Sequence, residues 1–138
     1  ENLYNMIPDI LNANMPDVII LVAGWNTIYN CQDGVGGTDL RALHQRIRDL
    51  GFQGIIVVGG VPPQRGETAA QTSGWSASFR ELNAAARDLP NSHPKTYFTD
   101  TAAGNYTYDG YWDIIHLAQP NANVEASIIA ETLKPLLK

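Results

Sequence analysis

The chain has 138 residues, 44% of them hydrophobic and 17% charged, with a formal net charge of −5. That length fits one domain, residues 1–138, with a sizeable core. With Lys plus Arg at 9 against 14 acidic residues, and no apolar run near the roughly 20 residues of a membrane span, neither nucleic acid nor membrane is expected as a partner.

A single Cys31 excludes an intrachain disulfide. Asn105-Tyr106-Thr107 matches a glycosylation sequon, a triplet that also arises by chance. Scarce lysine with abundant Asn, Ala and Gly suits an exported, extracellular protein. The first residue is Glu1 rather than Met, which points to a processing or sequence boundary.

Leu3, Ile7, Ile10 and Leu11 recur at helical spacing, with Pro8 expected in a first turn. In "PDVIILVAGWNTIY" the apolar run Val18–Ala23 predicts a buried strand that ends on Gly24-Trp25-Asn26. A helix is expected from about Thr38, as N-cap, through Leu40, Leu43, Ile47 and Leu50, with Gly51 ending it. Gly54 to Gly59 reads as a second buried strand, and Gly59-Gly60-Val61-Pro62-Pro63 opens a polar loop. Helix resumes near Ser76 with Phe79, Leu82, Ala85 and Ala86 on one side, and is expected to close before Pro90. Lys95–Thr99 reads as a shorter strand, followed by a Gly- and Tyr-rich loop, Ala102–Trp112. Pro120 then begins a last helix carrying Val124, Ile128, Ile129, Leu133, Leu136 and Leu137.

Apolar strands joined by helical crossovers imply a parallel sheet covered on both faces, with right-handed connections. Three strands are few for this class. The first two both read as central, since neither carries the charges or prolines that blunt an edge. A central strand needs two neighbours, so the pattern predicts further strands outside this stretch.

Ligands of open α/β sheets bind beyond the carboxyl ends of the strands. Three segments fall there: Gly24-Trp25-Asn26, Gly59–Gly74 and Thr99–His116. The last holds Asp113 and His116 three residues apart, just before a helix. A carboxylate so placed can orient an imidazole and support its positive charge, leaving the other ring nitrogen free as general base. The competing reading is a helix-start pair. Asn26 can likewise be a turn residue in a left-handed conformation. His44, mid-helix among charges, is expected on the surface, and His93, in "LPNSHP", in an exposed loop. Cys31 reads as a small loop residue. Ser73, Ser76 and Ser78 lie near the correct rim, but "TSGWS" lacks the strand-to-helix elbow of an activated serine. The glycines fit no phosphate-cradling pattern, and no spacing suggests a metal site.

In these residues the chain resembles the SGNH, or GDSL-type, hydrolases, a family of esterases, lipases and carbohydrate deacetylases on a flavodoxin-like sheet. "GWNT" matches the glycine and asparagine of the family's G-x-N-D motif, with Thr27 in place of the aspartate, and "DIIHLAQPNANVEASIIAETL" matches its D-x-x-H motif and final helix. "IIVVGGVPP" and "YFTDTAAG" fall where the family has its intervening strands. The resemblance implies a three-layer α/β/α sandwich with a parallel sheet and its N-terminal strands missing from this chain. It implies His116 as catalytic base, Asp113 as its partner, and Asn26 as oxyanion donor, a contribution of about 3 kcal/mol in such sites. Gly24 would allow the tight turn, and Trp25 would line the acyl or sugar pocket.

The family's G-D-S strand end, with its nucleophilic serine, has no match here, nor has its second-motif glycine. The resemblance therefore implies a carboxylic ester hydrolase, needing no cofactor and acting on a small-molecule or carbohydrate ester, whose serine lies on a separate N-terminal segment or on a swapped copy in a homodimer. The alternative is a non-catalytic carbohydrate-binding or structural relative. A nucleotide-binding flavodoxin-like domain has only fold analogy behind it.

Overall fold

The computed structural model describes residues 3–24, 36–68 and 76–138. Helix α1, Leu3–Ala13, precedes strand β1, Val18–Leu21; helix α2, Gly36–Asp49, precedes β2, Ile55–Gly59; helix α3, Ser76–Ser92, precedes β3, Thr96–Thr99. Two single-turn 3-10 helices, Thr101–Ala103 and Tyr108–Gly110, lead to the last helix α4, Gln119–Leu133. The sheet order is β1-β2-β3, all parallel, with Val18 beside Ile55 and Ile56 beside Thr96. This is the expected parallel sheet between helical layers.

Side chains on alternate strand positions define the two faces. Leu21, Ile56 and Val58 point into the main core with Leu40, Leu43 and Ile47 of α2 and Phe79, Leu82 and Leu89 of α3. Phe98 packs on the same side, beneath Arg87 of α3. Its neighbour Thr99 faces the other way, and its hydroxyl accepts a hydrogen bond from Thr132 of α4 at 3.0 Å. Helix α1 packs on α2, placing it in the larger helical layer.

Only β2 is paired on both edges; β1 stands at the edge of the described sheet. The expectation that the first two strands are both central thus holds for β2 and not, within these residues, for β1. The face of β1 away from the core is also open, with Ile20 47% exposed although its neighbours are apolar.

Several boundaries differ from the sequence expectation. Pro8 lies in the second turn of α1, not the first, and removes the bond that its position would donate to the Tyr4 carbonyl. Helix α2 begins at Gly36, so Thr38 is inside it rather than capping it. There Gly37 packs so closely on α3 that a Cβ would stand 3.0 Å from the Glu81 carbonyl oxygen. Helix α3 continues through Pro90 to Ser92. Leu136 and Leu137 lie beyond the end of α4.

His44 is a correction: it is fully buried, not on the surface. With Leu40, Leu43 and Ile47 it lies on the buried stripe of α2, and its Nε2 pairs with the Thr96 hydroxyl at 2.9 Å. Burial, with His93 and Arg48 adding like charge, lowers its pKa to about 4. His93 lies in the expected loop but is half-buried rather than exposed, its ring 4.5 Å from that of His44. Arg48 closes this lower end of the sheet, donating to the carbonyls of Phe52, Gly54 and Lys95.

Candidate active site

At the opposite end, the three strands release their loops along one rim. Gly24, three residues beyond β1, has φ +135°, a conformation open to glycine, and a Cβ there would run into the buried side chain of Leu82. Gly24 thus has the conformation that the expected turn requires, while the rest of that turn lies outside the described residues. Trp25, Asn26, Thr27, Cys31 and Ser73 lie outside the described residues. Ser78 is buried in α3, 1% exposed, and cannot meet an incoming ester.

The loop after β3 carries the acid and the imidazole. It begins against β2's exit, where the Thr101 hydroxyl donates to the Gly60 carbonyl. Val61, next along that exit, is fixed by its backbone N–H to the Asn83 side-chain oxygen at 3.0 Å. Tyr111 then reaches back, buried, to donate its hydroxyl to the Pro63 carbonyl at 2.6 Å. Burial pushes the Tyr111 phenol up to about 12, with Glu125 adding to the shift, so it remains a donor throughout the neutral range. Arg65 makes the third tie, its backbone N–H to the Ile114 carbonyl at 2.7 Å and its Nε to the Tyr108 carbonyl at 3.0 Å.

Asn121 holds the loop from the helix side. It is fully buried in the first turn of α4, accepts the Thr107 backbone N–H and donates to the Thr107 carbonyl, each at 2.9 Å. Gly110 must be glycine at this point, because a Cβ would fall 2.3 Å from the Asn121 side chain. Sequence reasoning did not single out Asn121, Tyr111 or Arg65. Their partners are backbone groups distant in the chain, which spacing alone does not reveal.

Within this frame residues 111–117 form a tight antiparallel ribbon. Tyr111 and Leu117 bridge, the Trp112 N–H donates to the His116 carbonyl at 2.8 Å, and the Ala118 N–H to the Gly110 carbonyl at 2.8 Å. Asp113 builds the turn at its tip. One carboxylate oxygen accepts the backbone N–H groups of Ile115 and His116, both at 2.9 Å, an arrangement that an aspartate at a turn readily makes. The other oxygen stands 2.7 Å from His116 Nδ1. The pair is thus a turn element before α4 rather than the helix-start pair of the competing reading.

Those contacts set the chemistry. The His116 backbone N–H, then its ring, then the Ile115 N–H hold the Asp113 carboxyl down at about 2. An ionised carboxylate only accepts, so Nδ1 carries the proton, and in the neutral ring the lone pair is on Nε2. The side chains are 69% and 54% exposed for His116 and Asp113, and so exposed a pair adds little to folding. Its effect is orientation: an imidazole held by one ring nitrogen at the carboxyl edge of the sheet. Among the described residues no group of three His, Cys, Asp or Glu side chains is placed to hold a metal, and no helix there is long and apolar enough to cross a membrane.

No family model and no curated protein matches the chain. Solved structures do. A family 3 carbohydrate esterase of Clostridium thermocellum superimposes with a TM-score of 0.77 at 19% identity, over 98% of this chain and 64% of that one. An aryl esterase of M. smegmatis gives 0.69 at 19% identity, over 96% and 67%. A lipolytic G-D-S-L family protein of Veillonella parvula gives 0.70 at 17% identity, over 94% and 71%. The chain thus has the esterase-type fold of the SGNH/GDSL hydrolases, and spans just under two thirds of the length of the first of these structures.

Proposed function

We propose that these residues are the His-Asp portion of an SGNH serine esterase acting on carboxylic esters, with carbohydrate esters among its substrates. The observation that carries this is the doubly used Asp113 carboxylate, which fixes the turn with one oxygen and His116 Nδ1 with the other. The esterases that share the fold support it.

In this reading His116 Nε2 takes the proton of a serine hydroxyl as that oxygen attacks the ester carbonyl. Asp113 stabilises the resulting imidazolium, and Asn26 donates its amide to the oxyanion. The imidazolium then protonates the departing alcohol, and water releases the acyl group by the same steps in reverse. The serine lies outside these 138 residues, on a segment that pairs with the open edge of β1, where Ile20 is left exposed. By itself the 138-residue chain is therefore expected to turn over little or no ester. A swapped copy as the source of that segment predicts a dimer, and a monomer by light scattering counts against it.

The test is turnover of p-nitrophenyl acetate by the complete protein. His116→Ala is expected to lower kcat by at least about 10^4-fold with the melting temperature unchanged; unaffected turnover would remove the hydrolase reading. A second reading, a non-catalytic carbohydrate-binding relative, is favoured by one observation: among the described residues the His116 ring bonds to Asp113 alone. Fluorophosphonate labelling separates the two, because only a serine hydrolase is tagged.

A further inference from the structure

Trp112 is 78% exposed, a large apolar surface left in water at the most constrained turn of the rim. The ribbon geometry says where it stands. Tyr111 and Leu117 bridge across the ribbon, so the next inward pair is Trp112 and His116, whose backbone bond is present at 2.8 Å. Opposed residues of an antiparallel pair project to the same face with Cβ atoms about 5 Å apart. Tyr111 points the other way, into its buried bond with Pro63. The indole and the imidazole therefore share one face, held by the same backbone.

We propose that Trp112 is the platform for the alcohol half of the ester, and that this half is a sugar ring. The inference rests on the esterase reading, for which His116 delivers its proton to the departing alcohol. A group beside the imidazole therefore meets the alcohol side, whereas the acyl side lies toward the oxyanion donors. An alkyl chain would call for an enclosed slot, and this wall is open. A flat indole with one face in solvent suits the C–H face of a pyranose, while polar groups at the edge take its hydroxyls. Such groups are close by along the chain and across the loops. Asp109 lies three residues upstream and exposed, and Arg65 is bonded through its backbone to Ile114, its guanidinium 4.0 Å from the Tyr108 ring centroid.

The first test needs no nucleophile, so sugar binding is read separately from hydrolysis. The 138-residue chain is titrated with xylohexaose and with cellohexaose, following tryptophan fluorescence and heat. Saturable binding of at least one is expected, weakened at least about tenfold in Trp112→Ala and retained within about threefold in Trp112→Phe, with all melting temperatures equal because the side chain is exposed. In the complete enzyme Trp112→Ala should raise KM for acetylated xylooligosaccharides with kcat nearly unchanged. Absence of saturable binding by the parent chain, or equal binding by Trp112→Ala, overturns the proposal. Sugar binding that depends on Trp112 in a complete protein that fluorophosphonate does not label would remove the esterase reading and, with it, the assignment of Trp112 to an ester's alcohol half, leaving only a sugar-binding surface.

Discussion

The two ends of the sheet each place a histidine against a hydrogen-bonding partner, and they do so for opposite ends. At the lower end His44 is fully buried, paired with a neutral hydroxyl, and its charged form is disfavoured, with a pKa lowered to about 4. At the upper rim His116 is mostly exposed and its Nδ1 is paired with an ionised carboxylate. The first arrangement keeps a polar ring inside a core by making it uncharged; the second leaves the ring open to water and fixes its orientation. A histidine's role here follows from its partner's charge and its access to water, not from its position in the chain.

The largest effect expected from breaking this contrast is at the rim. Asp113→Asn keeps an oxygen for the Ile115 and His116 backbone donors, so the turn should persist. Its amide, however, cannot accept from Nδ1, and the ring loses the tautomer that leaves Nε2 free. Turnover of p-nitrophenyl acetate by the complete protein should fall about 10^3- to 10^4-fold, with the melting temperature nearly unchanged. A loss no greater than tenfold would mean that the carboxylate only shapes the turn.

The lower end predicts a stability effect instead. His44 binds its proton with a pKa near 6.5 when unfolded and about 4 when folded. Between those values the unfolded chain carries more protons, so stability rises with pH across the window. The contribution is whole above about pH 6.5 and shrinks by about 3 kcal/mol as pH falls to 4. Urea unfolding at pH 7, 5.5 and 4 checks it by difference. His44→Leu should be flatter over this range than the parent chain, and parallel curves would place the proton linkage elsewhere.

Legibility in the sequence divided along the same physical line. β2 was readable because Ile56, Val57 and Val58 are all buried, so apolar character at every position has one meaning. Asp113 and His116 were readable because a turn of three residues suffices to join them. His44 was misread because residue type outweighed periodicity: it stands on the Leu40, Leu43, Ile47 stripe, and only the Thr96 hydroxyl, 52 positions away, satisfies it there. Trp112 emerges as a partner of His116 only once the ribbon pairing is known. The proposed oxyanion donor Asn26 and pocket residue Trp25 lie outside the described residues, and their roles rest on the motif.

A smaller effect tests what connects the rim to the body of the molecule. Asn121 satisfies both backbone groups of Thr107 from inside α4, and Gly110 is pressed against it. Asn121→Ala strands those two groups and opens a void, at a cost of about 2 kcal/mol. Because the loop it anchors ends in the Asp113–His116 turn, the loss should be local before it is global. Hydrogen exchange of the Thr107, Gly110 and Trp112 amides should quicken more than that of Val57 and Val58 in β2. If all five amides accelerate equally, Asn121 supports the whole fold, and the rim is not the separately held unit that its hydrogen bonds describe.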